Sequence, residues 1–122
     1  MKLHLTKAAG RNLFTGYGDG YVSVNDQRYT RPVIVAPEGE VEPWNPQSFE
    51  ALTADDFDVL TARSPELVLL GTGSALRFPK PDVIRPLVTA GVGFEAMDTR
   101  AACRTYNILM AEGRQVIAAI FV

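Results

Sequence analysis

The chain has 122 residues, of which 47% are apolar and 21% charged, and its formal net charge is −2. This length predicts one domain, residues 1–122, and the near-neutral charge argues against nucleic-acid binding, which needs a clustered basic surface. One cysteine and one histidine exclude an internal disulfide and a structural zinc site, so we expect no metal and a reducing compartment.

The beginning of the chain shows no targeting pattern. Residues 1–6 lack the long apolar core of a secretory signal and the arginine- and serine-rich composition of an organelle transit peptide. The longest apolar run, residues 116–122, is far shorter than the roughly 18 residues that cross a bilayer. The sequence therefore predicts a cytoplasmic protein without membrane insertion.

The first half of the chain has the pattern of a β meander. An Asp19-Gly20 turn signal precedes an alternating run at 21–24, and a second turn candidate at 25–27 precedes a strand predicted over 28–35. Turns this close together predict antiparallel pairing. The proline-rich residues 43–46 mark the predicted boundary with the second half.

The second half alternates helices and strands. Thr53 and Asp56 form a capping-box pattern at the start of a short helix, with Phe57 and Leu60 directed inward. Strands are then predicted at 66–70, 93–97 and 115–122, and helices at 82–90 and 98–112, each followed by a glycine suited to a C-terminal cap. The strands are continuously apolar, which is typical of a sheet covered on both faces, and the order predicts a C-terminal β-α-β-α-β unit in an α/β fold.

A glycine-rich stretch follows the first of these strands: Gly71, Thr72, Gly73 and Ser74. The carboxyl ends of parallel strands are where open α/β sheets bind ligands, so backbone amides here could hold a small anion or molecule. Neither the dinucleotide fingerprint nor the P-loop is present, and we expect no nucleotide cofactor. The alternative is a tight turn whose glycines are required by backbone dihedral angles.

The last helix has two candidate faces. Asp98 is its predicted N-cap, and the inward face is predicted to comprise Ala101, Ala102, Thr105, Ile108 and Leu109. The opposite side carries Arg100, Arg104, Asn107 and Arg114, spaced to lie along one side of the helix and its exit. This stripe is predicted either to bind an acidic partner or to be a solvated face neutralised by acids elsewhere.

Two residues of this helix have a second interpretation. Asn107, next to Tyr106, is a poor helix former and is expected to make a structural hydrogen bond. Cys103 is expected to be a small buried apolar group rather than a reactive thiol.

No set of side chains predicts a reaction. His4 and Ser74 are far apart in the chain, so a Ser-His-Asp site has little support. Asp55, Asp56 and Asp58 lie on one short helix, where the first two stabilise its positive end. We therefore predict no catalytic residues.

Four segments together resemble the Mth938-like proteins, also called the DUF498 family: residues 69–73, 93–99, 101–107 and 112–114. The resemblance implies a three-layer α/β domain with a mixed central sheet and an additional β layer. The family includes a mitochondrial assembly factor for respiratory complex I and a protein linked to adipogenesis. No enzymatic activity is implied.

The leading hypothesis is a non-enzymatic binding or assembly-accessory protein, linked by the resemblance to respiratory complex assembly. Its partner would contact an edge formed by the glycine-rich stretch, Asp98, Thr99 and the arginine stripe, which requires these elements to lie at the same end of the sheet. The alternative is a small-molecule or anion-binding protein, or an enzyme, with its site at residues 71–74. A third hypothesis is a homo-oligomer that pairs through an edge of the meander.

Overall fold

The computed structural model describes residues 10–122, in which eight strands and three α-helices occur. The strands are β1 (Phe14–Gly18), β2 (Tyr21–Val24), β3 (Gln27–Tyr29), β4 (Val33–Val35), β5 (Glu42–Pro43), β6 (Leu67–Thr72), β7 (Gly93–Met97) and β8 (Val116–Phe121). The helices are α1 (Ala54–Thr61), α2 (Pro81–Thr89) and α3 (Thr99–Ala111), and a 3₁₀ turn covers Phe49–Ala51. None of these helices has the length and apolarity needed to span a bilayer.

The central sheet has five strands in the order β5-β4-β8-β6-β7. Strand β6 pairs in parallel with both β7 and β8, whereas β4 pairs antiparallel with β8 and β5. The predicted mixed sheet and β-α-β-α-β unit are therefore confirmed. A separate antiparallel sheet of β1, β2 and β3 is the additional β layer.

Both faces of the central sheet are buried, which explains the continuously apolar strands. On one face, alternate residues of β4, β6 and β8 pack with the meander and α3 in one core. On the other, the intervening residues of the same strands pack with α1, α2 and Trp44 in a second core. The chain is thus a three-layer α/β domain, as predicted.

Two boundaries in the first half differ from the prediction. The strand predicted over 28–35 is two strands in two different sheets, β3 and β4, separated at Pro32. Proline has no N–H to donate to a ladder, which favours a break there. Because β4 and β5 belong to the central sheet, the change from meander to α/β unit falls at residues 30–32 rather than at 43–46.

Helix α1 begins as the sequence predicts. The Asp56 carboxylate accepts a hydrogen bond from the Thr53 backbone N–H at 2.9 Å, the backward half of a capping box. Phe57 and Leu60 are fully buried, as expected. Gly91 and Gly113, which follow α2 and α3, have φ angles of 72° and 82°, the left-handed conformation of a C-terminal cap.

Helix α3 buries Ala102, as predicted, but the rest of its fully buried face differs from the predicted one. Its buried residues are Thr99, Ala102, Cys103, Tyr106, Asn107 and Met110, whereas Ile108 is 57% exposed. The predicted face followed the aliphatic residues, but α3 lies between the sheet and the meander, where Tyr106 and Asn107 find polar partners. Tyr106 donates to the Asn12 carbonyl at 3.0 Å and packs edge-on against Phe14.

Asn107 is a structural residue and not part of an exposed stripe, which corrects its assignment to the partner-binding set. Its side-chain oxygen accepts from the Phe14 N–H at 2.9 Å, and its amide nitrogen donates to the Phe14 carbonyl at 2.8 Å. Only 2% of Asn107 is exposed. The side chain thus pairs with β1 as a neighbouring strand would, and the expectation of a structural hydrogen bond is confirmed.

The Asn107→Ala variant should lose about 2–4 kcal/mol of unfolding free energy, because both polar backbone groups of Phe14 would be buried without partners. Urea unfolding followed by circular dichroism measures this loss. The matched control is Ile108→Ala, an exposed neighbour on the same helix, which should change the unfolding free energy by less than about 1 kcal/mol. Equal losses in the two variants would contradict the structural role of Asn107.

Cys103 is a free, fully buried thiol. Burial raises its pKa to about 12, because the thiolate would lose its hydration, and this outweighs the attraction of Arg104. The expectation of an inert thiol agrees with this environment.

The raised pKa of Cys103 predicts alkaline destabilisation. The unfolded thiol ionises at lower pH than the folded one, so its stabilising contribution is complete below about pH 9 and is lost as pH rises toward 12. Between pH 8 and pH 10, the wild type should lose about 1 kcal/mol more unfolding free energy than Cys103→Ala. Burial also raises the pKa of Tyr106, but this affects both proteins alike. Parallel pH profiles would refute the prediction.

Candidate functional site

Three parallel strands and the last helix meet at one end of the central sheet, which we call the rim. Strands β6, β7 and β8 end there at Thr72, Met97 and Phe121, and α3 begins there at Thr99. Because β4 runs antiparallel to β8, the residues that precede β4 reach the same end. The carboxyl edge of parallel strands is the usual place for a site in an open α/β sheet.

The Thr99 side chain joins the rim together. Its hydroxyl donates to the Phe121 carbonyl at 2.5 Å and accepts from the Gly73 N–H at 2.8 Å. The Thr99 N–H donates to the Gly73 carbonyl at 2.9 Å. The glycine-rich stretch and the start of α3 therefore lie at the same end of the sheet, as the site hypothesis requires.

The glycine-rich stretch begins later than predicted. Gly71 and Thr72 are the last residues of β6 and are buried, so the turn itself starts at Gly73. Gly73 has a φ of 93°, so its glycine is required by the backbone dihedral angle. Gly71 is favoured for another reason: a Cβ there would lie 2.7 Å from Ile120 Cδ1 and 3.3 Å from Thr99 Cα, so these neighbours would have to shift.

The polar side chains of the predicted ligand-binding set are mostly engaged within the protein. The Thr72 hydroxyl lies 2.6 Å from the Ala75 carbonyl and accepts from the Arg77 N–H at 3.2 Å, which closes the turn. Asp98 caps α3, because its Oδ1 accepts from the Ala101 N–H at 3.0 Å. Of the six predicted residues, Gly73, Ser74 and Thr99 line one cavity of the rim, and Thr72, Gly73 and Ser74 line a second one.

The first of these cavities, the Tyr17 pocket, has a volume of about 260 Å³ and lies between the β1–β2 turn and α3. Its lining includes Tyr17, Asp19, Gly73, Ser74 and Arg100. Arg100 lies 3.7 Å from the Asp19 carboxylate, and its guanidinium carbon is 5.8 Å from the centre of the Tyr17 ring. An exposed ion pair of this length contributes little to stability.

The predicted arginine stripe is divided between the two ends of α3. Arg100 lies by the Tyr17 pocket and Arg104 donates to the Tyr17 hydroxyl at 3.0 Å. Arg114 lies beyond the other end, roughly 20 Å along the helix axis, and its Nε is 3.1 Å from Glu66 Oε1. Hydrogen bonds from the Gln115 N–H and the Arg114 side chain lower the pKa of Glu66. Acids elsewhere thus meet Arg100 and Arg114.

The second cavity, the rim cleft, has a volume of about 710 Å³ and is mainly polar. Its lining includes Arg31, Ser48, Ser74 and Arg77, with Phe121 at the end of β8. Arg77 forms an ion pair with Glu50 and lies 4.5 Å above the centre of the Phe49 ring. Arg31 is exposed and makes no hydrogen bond or ion pair with any residue from 10 to 122.

A metal site is not part of this arrangement. Within residues 10–122, no group of three histidine, cysteine, aspartate or glutamate side chains is placed to hold a metal ion. His4 lies outside the described residues.

Comparison with known proteins identifies the family. The model of a family of proteins of unknown function, DUF498/DUF598, matches residues 14–121. The chain belongs to this family.

The relatives of this DUF498 chain include an assembly factor. The protein named NADH dehydrogenase [ubiquinone] 1 alpha subcomplex assembly factor 3, from Bos taurus, is 34% identical over 110 residues, which cover 85% of this chain and 59% of that protein. This chain therefore spans about three fifths of that relative's length.

Solved structures confirm the Mth938-like fold. A crystal structure of a Bordetella parapertussis protein has a TM-score of 0.88 at 46% identity and covers 94% of this chain and 98% of its own. A solution structure of a Bordetella pertussis protein, described as an Mth938-like domain, has a TM-score of 0.79 at 39% identity. The match covers 99% of this chain and 92% of the Bordetella pertussis chain.

The sequence analysis of this DUF498 chain missed Tyr17, Arg31 and Arg77 as residues of the rim. Arg31 precedes Pro32, and only the antiparallel direction of β4 brings it beside the end of β8. Arg77 is placed by the Thr72 hydroxyl, which fixes the turn. The one signal in the sequence was the position of Arg77, three residues after the glycine-rich stretch.

The Thr99→Val variant should lose about 2 kcal/mol of unfolding free energy, because the Gly73 N–H would lose its acceptor and the Phe121 carbonyl its donor. Amide hydrogen exchange at Gly73 should also accelerate relative to the core strands. The control is Thr89→Val, an exposed threonine of α2, which should change neither quantity. Unchanged exchange at Gly73 in Thr99→Val would show that the hydroxyl does not hold the rim.

Proposed function

We propose that this protein is a non-enzymatic binding protein with an assembly-accessory role, and that it holds an acidic segment of a partner polypeptide in the rim cleft. The observation that carries the proposal is Arg31. It is an exposed cation in a polar cleft, and no described residue neutralises it. A partner carboxylate would form charge-assisted hydrogen bonds there, and Ser74, on the same lining, offers a further hydroxyl.

The assembly-accessory part of the proposal draws on the relatives. A relative of 34% identity is named as an assembly factor for NADH dehydrogenase, and the shared region covers 85% of this chain. We extend the role to this protein by analogy, including a link to respiratory complex assembly. A cytoplasmic location belongs to the same proposal, and cell fractionation is its direct check.

The chemistry of the cleft favours binding over catalysis. Glu50 is the one acidic side chain that lines it among the described residues. Hydrogen bonding to its own backbone N–H and the adjacent Arg77 hold the pKa of Glu50 below its usual range, so it stays ionised at neutral pH and is a poor general acid. Cys103 is fully buried and does not line the cleft, so it cannot act as a nucleophile there.

A second candidate function is the binding of a small anion or small molecule, either by a carrier or by an enzyme. The volume of the rim cleft, about 710 Å³, is in the range of small-ligand sites. The polar lining, with Arg31, Ser48 and Ser74, favours a carboxylate or phosphate among such ligands. The two candidates differ in the size of what occupies the cleft.

A photo-crosslinking amino acid placed at Ser74 in living cells should give one discrete protein adduct, whose partner mass spectrometry identifies. The Arg31→Glu substitution should reduce this adduct about tenfold, since it replaces an attraction with a repulsion. Two controls match it: the crosslinker at exposed Asp58 on α1, and Arg85→Glu on α2. The crosslinker at Asp58 should give no such adduct, and Arg85→Glu should not reduce the adduct at Ser74.

Native mass spectrometry of freshly purified protein separates the two functions. If the wild type carries a stoichiometric small ligand, Arg31→Glu loses it and no adduct forms at Ser74, the second function is supported and the first is contradicted. An adduct unaffected by Arg31→Glu would contradict the role of the cleft.

A further inference from the structure

A second concave surface adjoins the rim cleft, and its lining is more apolar than that of the cleft. This surface, which we call the Phe78 groove, has a volume of about 420 Å³ and is lined by Phe49, Leu52, Phe78, Pro79 and Val83, with Glu50, Arg77 and Lys80. Phe49, Glu50 and Arg77 also line the rim cleft. The two surfaces therefore adjoin at these three residues, and one extended segment could contact both.

The loop between β6 and α2 exposes large apolar side chains that the fold does not use. Phe78 is 73% exposed and Leu76 is 51% exposed, although both follow a buried strand. Leaving a phenylalanine ring in water forgoes most of the stabilisation that its burial would bring. Since Phe78 also forms one wall of a groove, its exposure prepares a surface for an apolar group from outside.

The charge at the edge of the groove is positive. Lys80 is the N-cap of α2, where a side chain that accepts a hydrogen bond is usual, and it makes no cap bond. Its ammonium group has no hydrogen-bonding or ionic partner among residues 10–122. The helix dipole adds positive potential at this end, partly offset by Asp82, which is itself paired with Arg85.

We propose that the Phe78 groove binds a partner polypeptide segment in which an apolar side chain, preferably aromatic, stands next to a glutamate or aspartate. The apolar side chain enters between Phe78 and Val83, and the neighbouring carboxylate contacts Lys80. Such a segment would continue toward Arg31 in the rim cleft. The inference rests on the proposed function, because it specifies the chemistry of the same partner.

The shape of this surface favours a polypeptide over a lipid bilayer. A bilayer surface is served by apolar side chains that protrude together, whereas Phe78 lines a groove whose volume suits one or two side chains. Glu50 also lies in this lining and would face the anionic headgroups. The protein as a whole carries a net charge of −2, which opposes attraction to an acidic membrane.

The test uses three synthetic peptides of equal length, each titrated into isotope-labelled protein and followed by amide chemical shifts. One carries phenylalanine between glutamates, the second phenylalanine between lysines, and the third alanine between glutamates. The first should bind with a dissociation constant on the order of millimolar and perturb the amides of Leu52, Phe78, Lys80 and Val83. The other two should bind at least about fivefold more weakly.

Matched variants locate the binding. Phe78→Ser should weaken the first peptide about tenfold, whereas Val88→Ser, an equally exposed position on α2, should not. Lys80→Glu should weaken it about threefold to tenfold, whereas Arg85→Glu should not. All four positions are exposed, and the amide spectra of the free variants check that the fold is retained.

The outcomes separate the inference from the function on which it rests. Equal binding of the glutamate and lysine peptides, or shifts outside the groove, would overturn the inference while the Ser74 adduct could persist. If the Ser74 adduct is lost while the peptide still binds, the proposed role of the rim cleft is contradicted and that of the Phe78 groove is not. Binding to phosphatidylglycerol vesicles that Phe78→Ser abolishes, without binding to the first peptide, would replace the polypeptide by a membrane surface.

Discussion

The hydroxyl group of Thr99 is the contact on which the rim depends. It accepts from the turn after β6 and donates to the end of β8, and it belongs to the first residue of α3. This contact requires α3 to approach β6 so closely that residue 71 has no room for a Cβ. The Thr99 hydroxyl and the absence of a side chain at Gly71 therefore fix the position of Gly73, which lines both the Tyr17 pocket and the rim cleft.

A second polar contact attaches the same helix to the meander. Asn107 pairs with the backbone of Phe14 and holds the meander against α3, and this places the β1–β2 turn beside the start of the helix. The Tyr17 pocket exists because these two attachments act on one helix, 13 residues long, at different points. Stability and site geometry thus have the same origin, and a variant at Thr99 or Asn107 is expected to alter both.

The surface at this end of the sheet changes character over a short distance. Near Arg31 and Ser74 it is polar and carries a cation without a partner among residues 10–122, whereas near Phe78 it is more apolar and has a cationic edge. Arg77 and Arg85 form ion pairs with Glu50 and Asp82, whereas Arg31 and Lys80 have no acidic partner among residues 10–122. The proposed attraction for an acidic partner therefore lies at these two cations. The proposed interaction surface therefore lies beside the predicted arginine stripe of α3 and not on it.

The sequence by itself determined the α/β class, the β-α-β-α-β unit and the burial of Cys103. It also determined the capping box of Thr53 and Asp56 and the glycine caps at Gly91 and Gly113. These features follow from local rules: the period of apolar residues, hydrogen bonding at helix ends and backbone dihedral angles. The tertiary structure alone decided which face of α3 is buried, that residues 28–35 divide between two sheets, and that Arg31 lies at the rim. Each of these depends on the direction and order of strands far apart in the chain, which the local pattern of residues does not encode.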